Sequence, residues 1–263
     1  MKPIAFQIGP LSIHWYGIMM AVAFIAGLWT ASRRARFDHI PAERILDLGP
    51  WVIVGSILGA RILYVITFWH EQFANNWSEI VMVQHGGLVF YGGLIGASLA
   101  VILYCRIKKL GLWKVADILA PSISLGYVFG RIGCLLNGCC YGRYCSLPWA
   151  IRFPPGHETH PLGMPATPVH PTEIYESLLN LFLYAGLAWL YRRKKFDGQI
   201  FATYLICYAL LRSFVEMFRG DYPVYQHYLG GWATPAQLVS IGILAGGVIL
   251  LGLRARYKPQ PGS

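Results

Sequence analysis

The stretch Gly130-Arg131-Ile132-Gly133-Cys134-Leu135-Leu136-Asn137-Gly138-Cys139-Cys140-Tyr141-Gly142 closes an apolar run that begins near Val115. That run is long enough to enter a bilayer, yet it ends in an arginine and, six residues later, an asparagine, among four glycines. A charged side chain close to hydrocarbon is costly, so it usually persists because the function of the protein needs it. Glycines beside it let another helix or a lipid headgroup approach the backbone. The stretch therefore predicts the floor of a polar site cut into a membrane protein.

The composition of the whole chain agrees with a membrane protein. Hydrophobic residues make up 56% of the 263 residues and charged residues only 13%, whereas soluble domains carry about 25% charged residues. The mean hydropathy is +0.47. Seven windows of mostly apolar residues are each long enough to span a bilayer, and because the apolar runs are continuous instead of alternating they predict helices and not strands. We therefore predict an all-α integral membrane protein, a single polytopic domain over residues 1–263, with spans at about 12–32, 46–68, 86–105, 115–136, 172–191, 199–217 and 234–253.

The basic residues are concentrated in alternate connections between these spans. Of the 22 Lys and Arg residues, fifteen fall in the first, third and fifth loops and the C-terminal tail, four fall on the opposite side, and three fall inside spans. Because cytoplasmic loops carry the excess of Lys and Arg, the N-terminus is predicted outside, on the periplasmic side, and the C-terminus in the cytoplasm. The same topology accounts for the net charge of +10, so a nucleic-acid partner is not needed to explain it.

The unusual polar residues gather at the outer ends of six of the seven predicted spans, beside a long outer segment at about 138–171. Loops of that length usually carry function or cover a site. One outward-facing site explains this common depth better than six unrelated occurrences. The residues concerned are His14-Trp15-Tyr16, Arg61, Tyr64, His85, Tyr91, Arg131, Asn137, His170 to Glu176, Arg212, Glu216 and Arg219.

Three of these candidates lie on one helix face. Arg212, Glu216 and Arg219 follow at i, i+4 and i+7, and they could simply form a self-neutralising ladder at a helix end. Arg131 and Arg61, in contrast, have no acidic neighbour in sequence. Guanidinium groups that converge in a cleft of low dielectric constant would bind a phosphate, because the planar fork matches two of its oxygens. Phospholipid headgroups supply that phosphate at the membrane surface.

His85 opens a glycine-flanked helix, and a histidine in that place is more often an interfacial or capping residue than a catalyst. Beside the arginines it becomes a candidate general base, because an unperturbed histidine pKa of about 6.5 suits proton removal at neutral pH. Tyr16 and Tyr64 are expected to pack or to hydrogen-bond a headgroup.

Four cysteines follow Arg131, at positions 134, 139, 140 and 145. The spacing is not that of a zinc site, and adjacent cysteines ligate one ion awkwardly. We therefore expect no metal there, and instead small buried residues or a disulfide among the last three.

In its ordered set of motifs the chain resembles the bacterial prolipoprotein diacylglyceryl transferases, from about residue 6 to residue 253. Each motif alone is weak, but the ordered set is specific, and the seven-span topology is like that of the family. The motifs are His14-Trp15-Tyr16-Gly17, His85-Gly86-Gly87, Gly130-Arg131-Ile132-Gly133, Asn137-Gly138, His170-Pro171-Thr172-Glu173-Ile174-Tyr175-Glu176 and the face formed by Arg212, Glu216 and Arg219.

The resemblance implies a reaction. The family transfers the diacylglyceryl group of phosphatidylglycerol to the lipobox cysteine of an exported preprolipoprotein, in the bacterial inner membrane, and releases glycerol phosphate. It implies that His85 is the base and that Arg131 and Arg212 stabilise the leaving phosphate. No organic cofactor or metal is implied. Tyr16, Tyr64, Asn137, Gly142, Glu216 and Arg219 are expected to bind or orient the headgroup.

The chain departs from the commoner family motif at three positions. Cys134 stands for an asparagine, Leu135 for a phenylalanine and Cys139 for a glutamate, so roles assigned to an amide and a carboxylate there do not transfer. Two other functions would also use these residues. A lipid or organic-anion transporter also needs intramembrane arginines, although the sequence has no inverted repeat, and a membrane thiol-redox enzyme would need Cys139, Cys140 or Cys145.

Overall fold

The computed structural model describes residues 4–9, 11–73, 77–82, 86–220 and 234–256. In these residues the chain forms seven α-helices, whose ends fall within four residues of the predicted spans. They are α1 (Trp15–Ala35), α2 (Ala42–Thr67), α3 (Phe90–Ile107), α4 (Leu112–Asn137), α5 (Thr172–Tyr191), α6 (Gln199–Glu216) and α7 (Pro235–Arg256).

Five of the helices, α1 to α4 and α7, are long and apolar enough to cross a membrane. The chain is therefore a multi-pass membrane protein. Helices α5 and α6 are not among these five, and their crossing remains a prediction, as does the orientation of the chain.

A short β-hairpin precedes α1, which the all-helical prediction missed. Strand β1 (Ile4–Ile8) pairs antiparallel with β2 (Leu11–His14). The predicted first span therefore begins too early, since its first residues belong to β2 and the helix starts at Trp15. The physical reason is visible in residues 4–8, where the bulky apolar residues Ile4, Phe6 and Ile8 are spaced two apart, as in a strand.

The helices are distributed over two compact units, Met1–Ala31 with Ala116–Ser263 and Ser32–Val115, whose boundaries fall within α1 and α4. In the second unit α2 and α3 approach until their backbones touch. A β-carbon at Gly59 would lie 2.3 Å from the carbonyl oxygen of Gly92, and one at Gly96 would lie 2.1 Å from that of Gly55. Small residues at the crossing are the usual means of close helix packing in a membrane.

The first unit holds most of α4, helices α5, α6 and α7, and the long segment between α4 and α5. Helix α4 packs on α1, where the Thr30 and Ser122 hydroxyls are 2.9 Å apart. At the other end of the unit the fully buried Asp117 carboxylate accepts hydrogen bonds from the backbone amides of Gly198 and Phe201, at 2.8 and 2.9 Å. This carboxylate satisfies two amides that the first turn of α6 leaves without a helical partner.

Candidate active site

A row of alternating charges joins α4, α5 and α6. Arg131 on α4 forms an ion pair through Nε with Oε2 of Glu176 on α5. The second oxygen of Glu176 lies 3.3 Å from Nη1 of Arg212 on α6. That same nitrogen is 2.5 Å from Oε2 of Glu216, which in turn lies 3.9 Å from Nε of Arg219. We call these five residues the charge ladder.

The charge ladder is almost completely buried. The Glu176 and Glu216 side chains are 4% and 0% exposed, and those of Arg131 and Arg212 are 12% and 10% exposed. Buried charges are stable only when they are paired and hydrogen-bonded. The carboxylates therefore fix the positions of the guanidinium groups, and three arginines against two glutamates leave one positive charge in excess if all five are ionised.

Two hydroxyl groups complete the charge ladder. Tyr127 OH accepts a hydrogen bond of 2.6 Å from Nη2 of Arg131 and donates one of 3.0 Å to Oε2 of Glu176. Thr234 Oγ1 donates to Oε1 of Glu216 at 2.7 Å. Tyr127 lies one helical turn before Arg131, which places both on the face of α4 that meets α5.

Several guanidinium N–H groups in the charge ladder remain available. Arg131 uses Nε for Glu176 and Nη2 for Tyr127, whereas Arg212 uses Nη1 for both of its carboxylate partners. Within the part of the chain that is described, Nη1 of Arg131 and both Nε and Nη2 of Arg212 contact no protein acceptor. Two rigidly held guanidinium groups with spare donors are suited to binding phosphate oxygens.

The segment after α4 is attached by backbone hydrogen bonds to the residue pair before α5 and to the end of α6. The Gly142 amide donates to the His170 carbonyl at 2.9 Å, and the Arg143 amide donates to the Phe218 carbonyl at 2.8 Å. The Arg143 Nε donates to the Arg219 carbonyl at 2.9 Å. These bonds place Gly142 next to the last residue of the charge ladder.

Gly142 is required here by space. A β-carbon would lie 2.5 Å from Cβ and 2.6 Å from the carbonyl oxygen of His170, and 2.8 Å from the carbonyl oxygen of Phe218.

We expect Gly142→Ala to push the chain at Gly142 away from His170 and Phe218. The diacylglyceryl transfer that the sequence motifs predict should then fall by about 100-fold, since a displacement of about 1 Å can cost that much. Gly186→Ala on α5, where a β-carbon meets nothing within 4 Å, is the matched control and should keep full activity. Equal rates for the two variants would contradict the steric argument.

Tyr16 and Asn137 lie at the α4 end of the site, near the cysteines. The ring of Tyr16 packs over Gly133, where a β-carbon would be 3.1 Å from Cδ2. Arg131 is an electrostatic neighbour of Tyr16. Asn137 is exposed and donates to the Cys139 sulfur at 3.7 Å. The structure therefore brings both predicted residues to the same end of α4 as Arg131.

The cysteines group differently from the sequence prediction. The sequence left open small buried residues or a disulfide, and all six cysteines are free thiols in the structure. Cys134, Cys139 and Cys140 have sulfur atoms within 4.8 Å of one another, whereas Cys145 is buried and lies outside this group. The turn after α4 explains the grouping, because Gly138 and Cys140 adopt positive φ angles of 77° and 71° and fold the chain back on the helix.

The Cys140 thiol is the most acidic of the three. Hydrogen bonds from Cys134 and Cys139, with the charges of Arg131 and Arg219, hold the pKa of Cys140 well below its usual value. A thiolate in this turn would compensate part of the positive charge of the ladder.

Three of the predicted residues, Arg61, Tyr64 and His85, belong to the unit Ser32–Val115. His85 lies outside the described residues, so its candidate role as base stays a prediction. Tyr64 on α2 donates to Oε1 of Gln72 at 2.9 Å and packs on Phe68 and Phe73, and its predicted contact with a headgroup stays a prediction.

Arg61 was predicted to be one of the phosphate-binding arginines, but all three of its guanidinium nitrogens donate to backbone carbonyls. Nε donates to Ile80 at 3.0 Å, Nη1 to Gly86 and Gly87 at 2.6 and 3.1 Å, and Nη2 to Glu79 and to Met82, the latter at 3.3 Å. The position of Arg61 along its predicted span did not reveal that its partners are backbone carbonyls. Arg61 therefore fastens the two backbone segments that flank residues 83–85.

We expect Arg61→Lys to loosen these segments, because an ammonium group has three donors on one atom and cannot reach five carbonyls. Each carbonyl left unpaired costs about 1–3 kcal/mol if it stays buried. Hydrogen exchange of peptides over residues 77–90 should become faster. Arg106→Lys, at an exposed position near the end of α3, serves as control. Unchanged exchange in Arg61→Lys would show that the carbonyl network is not what orders this region.

Sequence reasoning missed the central residue of the site. Glu176 was noted only as part of a motif, and Tyr127 and Thr234 not at all. The signal for Glu176 was a carboxylate placed within an apolar helix, which generally implies a buried cationic partner. Tyr127 and Thr234 gave no such signal, because hydroxyl residues are common in apolar helices.

Comparisons with known proteins identify one family. Residues 3–253 match the family model of prolipoprotein diacylglyceryl transferase. A protein of Finegoldia magna called phosphatidylglycerol–prolipoprotein diacylglyceryl transferase is 38% identical over 261 residues, which cover 99% of this chain and 97% of that protein. Proteins of the same name from Synechococcus elongatus and Rhodospirillum rubrum are 37% and 35% identical, over 94% and 98% of this chain and 85% and 93% of theirs.

Proposed function

The chain belongs to the prolipoprotein diacylglyceryl transferase family, and we propose that it transfers the diacylglyceryl group of phosphatidylglycerol to the lipobox cysteine of a preprolipoprotein. A carbon–sulfur bond forms between the cysteine thiolate and a glycerol carbon, and the bond between that carbon and the phosphate oxygen breaks. The products are a thioether-linked lipid and glycerol phosphate. The thiol gives up its proton, because only the thiolate is an effective nucleophile.

The observation that carries this proposal is the pairing of Arg131 and Arg212 with one carboxylate, Glu176. Negative charge accumulates on the phosphate as the carbon–oxygen bond breaks. Donors that already point at the developing charge stabilise the transition state without reorganisation. We propose that the unengaged N–H groups of Arg131 and Arg212 bind the phosphate oxygens, while Glu216 and Arg219 hold this face of α6 in position.

The remaining site residues are assigned to the headgroup and to proton removal. Tyr16 and Asn137 border the same end of α4 as Arg131, and Gly142 allows the outer segment to close on α6. We propose that these residues and Tyr64 bind the headgroup. His85 is proposed as the base that removes the thiol proton.

The proposed location is the bacterial inner membrane, with the N-terminus and the site on the periplasmic side and the C-terminus in the cytoplasm. The distribution of Lys and Arg over the loops supports this orientation. A C-terminal fusion to a reporter that is active only in the cytoplasm should be active, and one to a reporter that is active only in the periplasm should be silent. The reverse result would overturn the orientation.

The decisive experiment is a transfer assay with purified protein, phosphatidylglycerol and a short lipobox peptide. We expect the peptide to gain the mass of a diacylglyceryl group and an equal amount of glycerol phosphate to appear. A peptide with serine in place of the lipobox cysteine and a vesicle of a lipid with another headgroup are the controls. Well-folded protein that lipidates no peptide would refute the proposal and favour a lipid or organic-anion transporter.

Two variants separate the remaining assignments. Transfer that survives the Cys139→Ala/Cys140→Ala double change excludes a thiol-redox cycle that uses Cys139 or Cys140. Transfer that survives His85→Ala would leave the reaction intact but remove the assignment of His85 as base.

A further inference from the structure

Three sulfur atoms meet at the end of α4, beside the charge ladder. Cys134 lies on the last turns of the helix, and Cys139 and Cys140 lie in the turn that follows it. Their sulfur atoms all lie within 4.8 Å of one another, and each residue is partly exposed. Cys139 also donates to the carbonyl oxygen of Cys134 at 3.7 Å. We refer to these three residues as the thiol cluster.

The spacing of the thiol cluster is close to that of sulfur ligands on one metal ion. A metal–sulfur bond of about 2.3 Å places two sulfur ligands of a single ion about 3.8–4.0 Å apart. The cluster therefore has to contract by less than about 1 Å, and Cys139 and Cys140 lie in a turn whose side chains are only partly buried. The sequence spacing argued against a metal because adjacent cysteines seldom share an ion. The positive φ of Cys140 removes this objection, since it turns the backbone between them.

The ligand set selects the ion. In the described part of the chain no histidine or carboxylate joins the three sulfurs within the same distance. Structural zinc sites nearly always have four protein ligands, whereas thiolate ligands alone favour soft ions such as Cu(I). Three soft ligands and no fourth therefore suit a monovalent soft ion better than zinc.

The surroundings of the thiol cluster can hold its negative charge. Arg131 and Arg219 are electrostatic neighbours of Cys140.

We infer that Cys134, Cys139 and Cys140 form a three-thiolate binding site for a soft monovalent metal ion of the Cu(I) class. The inference about regulation rests on the proposed function. A monovalent ion bound by three thiolates carries a net charge of −2, and this group would lie beside the arginines that we assign to the lipid phosphate. The loaded protein should therefore bind phosphatidylglycerol more weakly, and the KM for this lipid should rise while kcat changes little.

The chain supplies a matched control for the test, because three of its six cysteines lie outside the thiol cluster. Full-length protein in detergent is reduced, kept under argon and titrated with Cu(I) in competition with a chromophoric Cu(I) chelator. The wild type is compared with two triple variants, Cys134→Ala/Cys139→Ala/Cys140→Ala and Cys105→Ala/Cys145→Ala/Cys207→Ala. Elution as a single species on size exclusion shows that each variant is folded.

We expect the wild type and the control variant to bind one equivalent of Cu(I) with the same affinity. The affinity of the cluster variant for Cu(I) should fall by more than about 10–100-fold, which is the effect of removing a residue that only hydrogen-bonds a metal ligand. Single Cys→Ser variants at positions 134, 139 and 140 should each weaken binding, which guards against misfolding of the triple variant. Equal binding by the cluster and control variants would overturn the inference.

A second arm of the experiment measures transfer with and without one equivalent of Cu(I). A rise in KM that occurs in the wild type and not in the cluster variant supports the regulatory effect. An unchanged KM in loaded wild type refutes it. If no preparation transfers lipid at all, the proposed function fails, but the binding result still decides whether the site exists.

Discussion

Replacing Arg131 with alanine is expected to lower kcat for diacylglyceryl transfer by about 10²–10³-fold, the range observed when one donor to a developing anion is removed. Its guanidinium group is held on two sides, by Glu176 through Nε and by Tyr127 at 2.6 Å through Nη2. The remaining nitrogen is then presented in one orientation, without a further loss of side-chain entropy when the phosphate binds. Arg131→Lys should recover only a small part of the rate, because one ammonium group cannot serve Glu176, Tyr127 and a phosphate together.

The measurement compares initial rates of peptide lipidation at saturating lipid with the matched change Arg152→Ala. Arg152 is an exposed arginine of the outer segment, so its loss should change the rate by less than threefold. Thermal stability in detergent should be recorded for each variant to show that it is folded. We expect Arg131→Ala to fold, because Glu176 keeps Arg212 as a partner. A folded Arg131→Ala protein with a rate close to that of wild type would remove Arg131 from the mechanism.

Replacing Glu176 with alanine is expected to destabilise the protein by about 3–5 kcal/mol, the usual effect of removing one member of a buried ion pair. Glu176 is the only residue of the charge ladder that touches two arginines of different helices, Arg131 on α4 and Arg212 on α6. Without it, two guanidinium groups that are 12% and 10% exposed repel each other in a medium of low dielectric constant. Glu176→Gln keeps the shape but not the charge, so its effect should be smaller.

Unfolding in mixed micelles with a denaturing detergent would measure this difference, with Glu71→Gln at an exposed position as control. The double variant Glu176→Gln/Arg212→Gln distinguishes a structural from a catalytic effect. It should regain part of the stability lost in Glu176→Gln, because it removes one of the two buried guanidinium groups that lost Glu176 as a carboxylate partner, but it should not regain transfer. Additive losses of stability in the double variant would show that Glu176 and Arg212 do not interact energetically.

The helices could be predicted almost completely from the sequence. Long apolar runs allow little besides helix in a membrane, because every backbone polar group there needs an internal partner. The bounds of α5 and α6 were predicted as accurately as those of the others, although they carry Glu173, Glu176 and Arg212. The hairpin before α1 was missed because each strand is only four or five residues long.

The site was predicted in part. Arg131, Arg212, Glu216 and Arg219 were identified, since charged residues in apolar helices are exceptional. Their common depth suggested one site, and four of them do form one ladder. The same argument also included Arg61, whose guanidinium nitrogens donate to backbone carbonyls. Depth restricts where a side chain lies along the bilayer normal, but it does not determine the direction in which the side chain points.

By itself the sequence determined the class of protein, the helices and the identity of the charged residues, because hydrophobicity and charge are properties of single positions and their neighbours along the chain. Only the tertiary structure decided the pairings. Glu176 lies 45 residues after Arg131 and 36 before Arg212 in the sequence, and no local pattern connects them. The thiol cluster likewise depends on one turn at Gly138 and Cys140. Contacts of this kind follow from how helices pack and chains turn, which a list of residues does not contain.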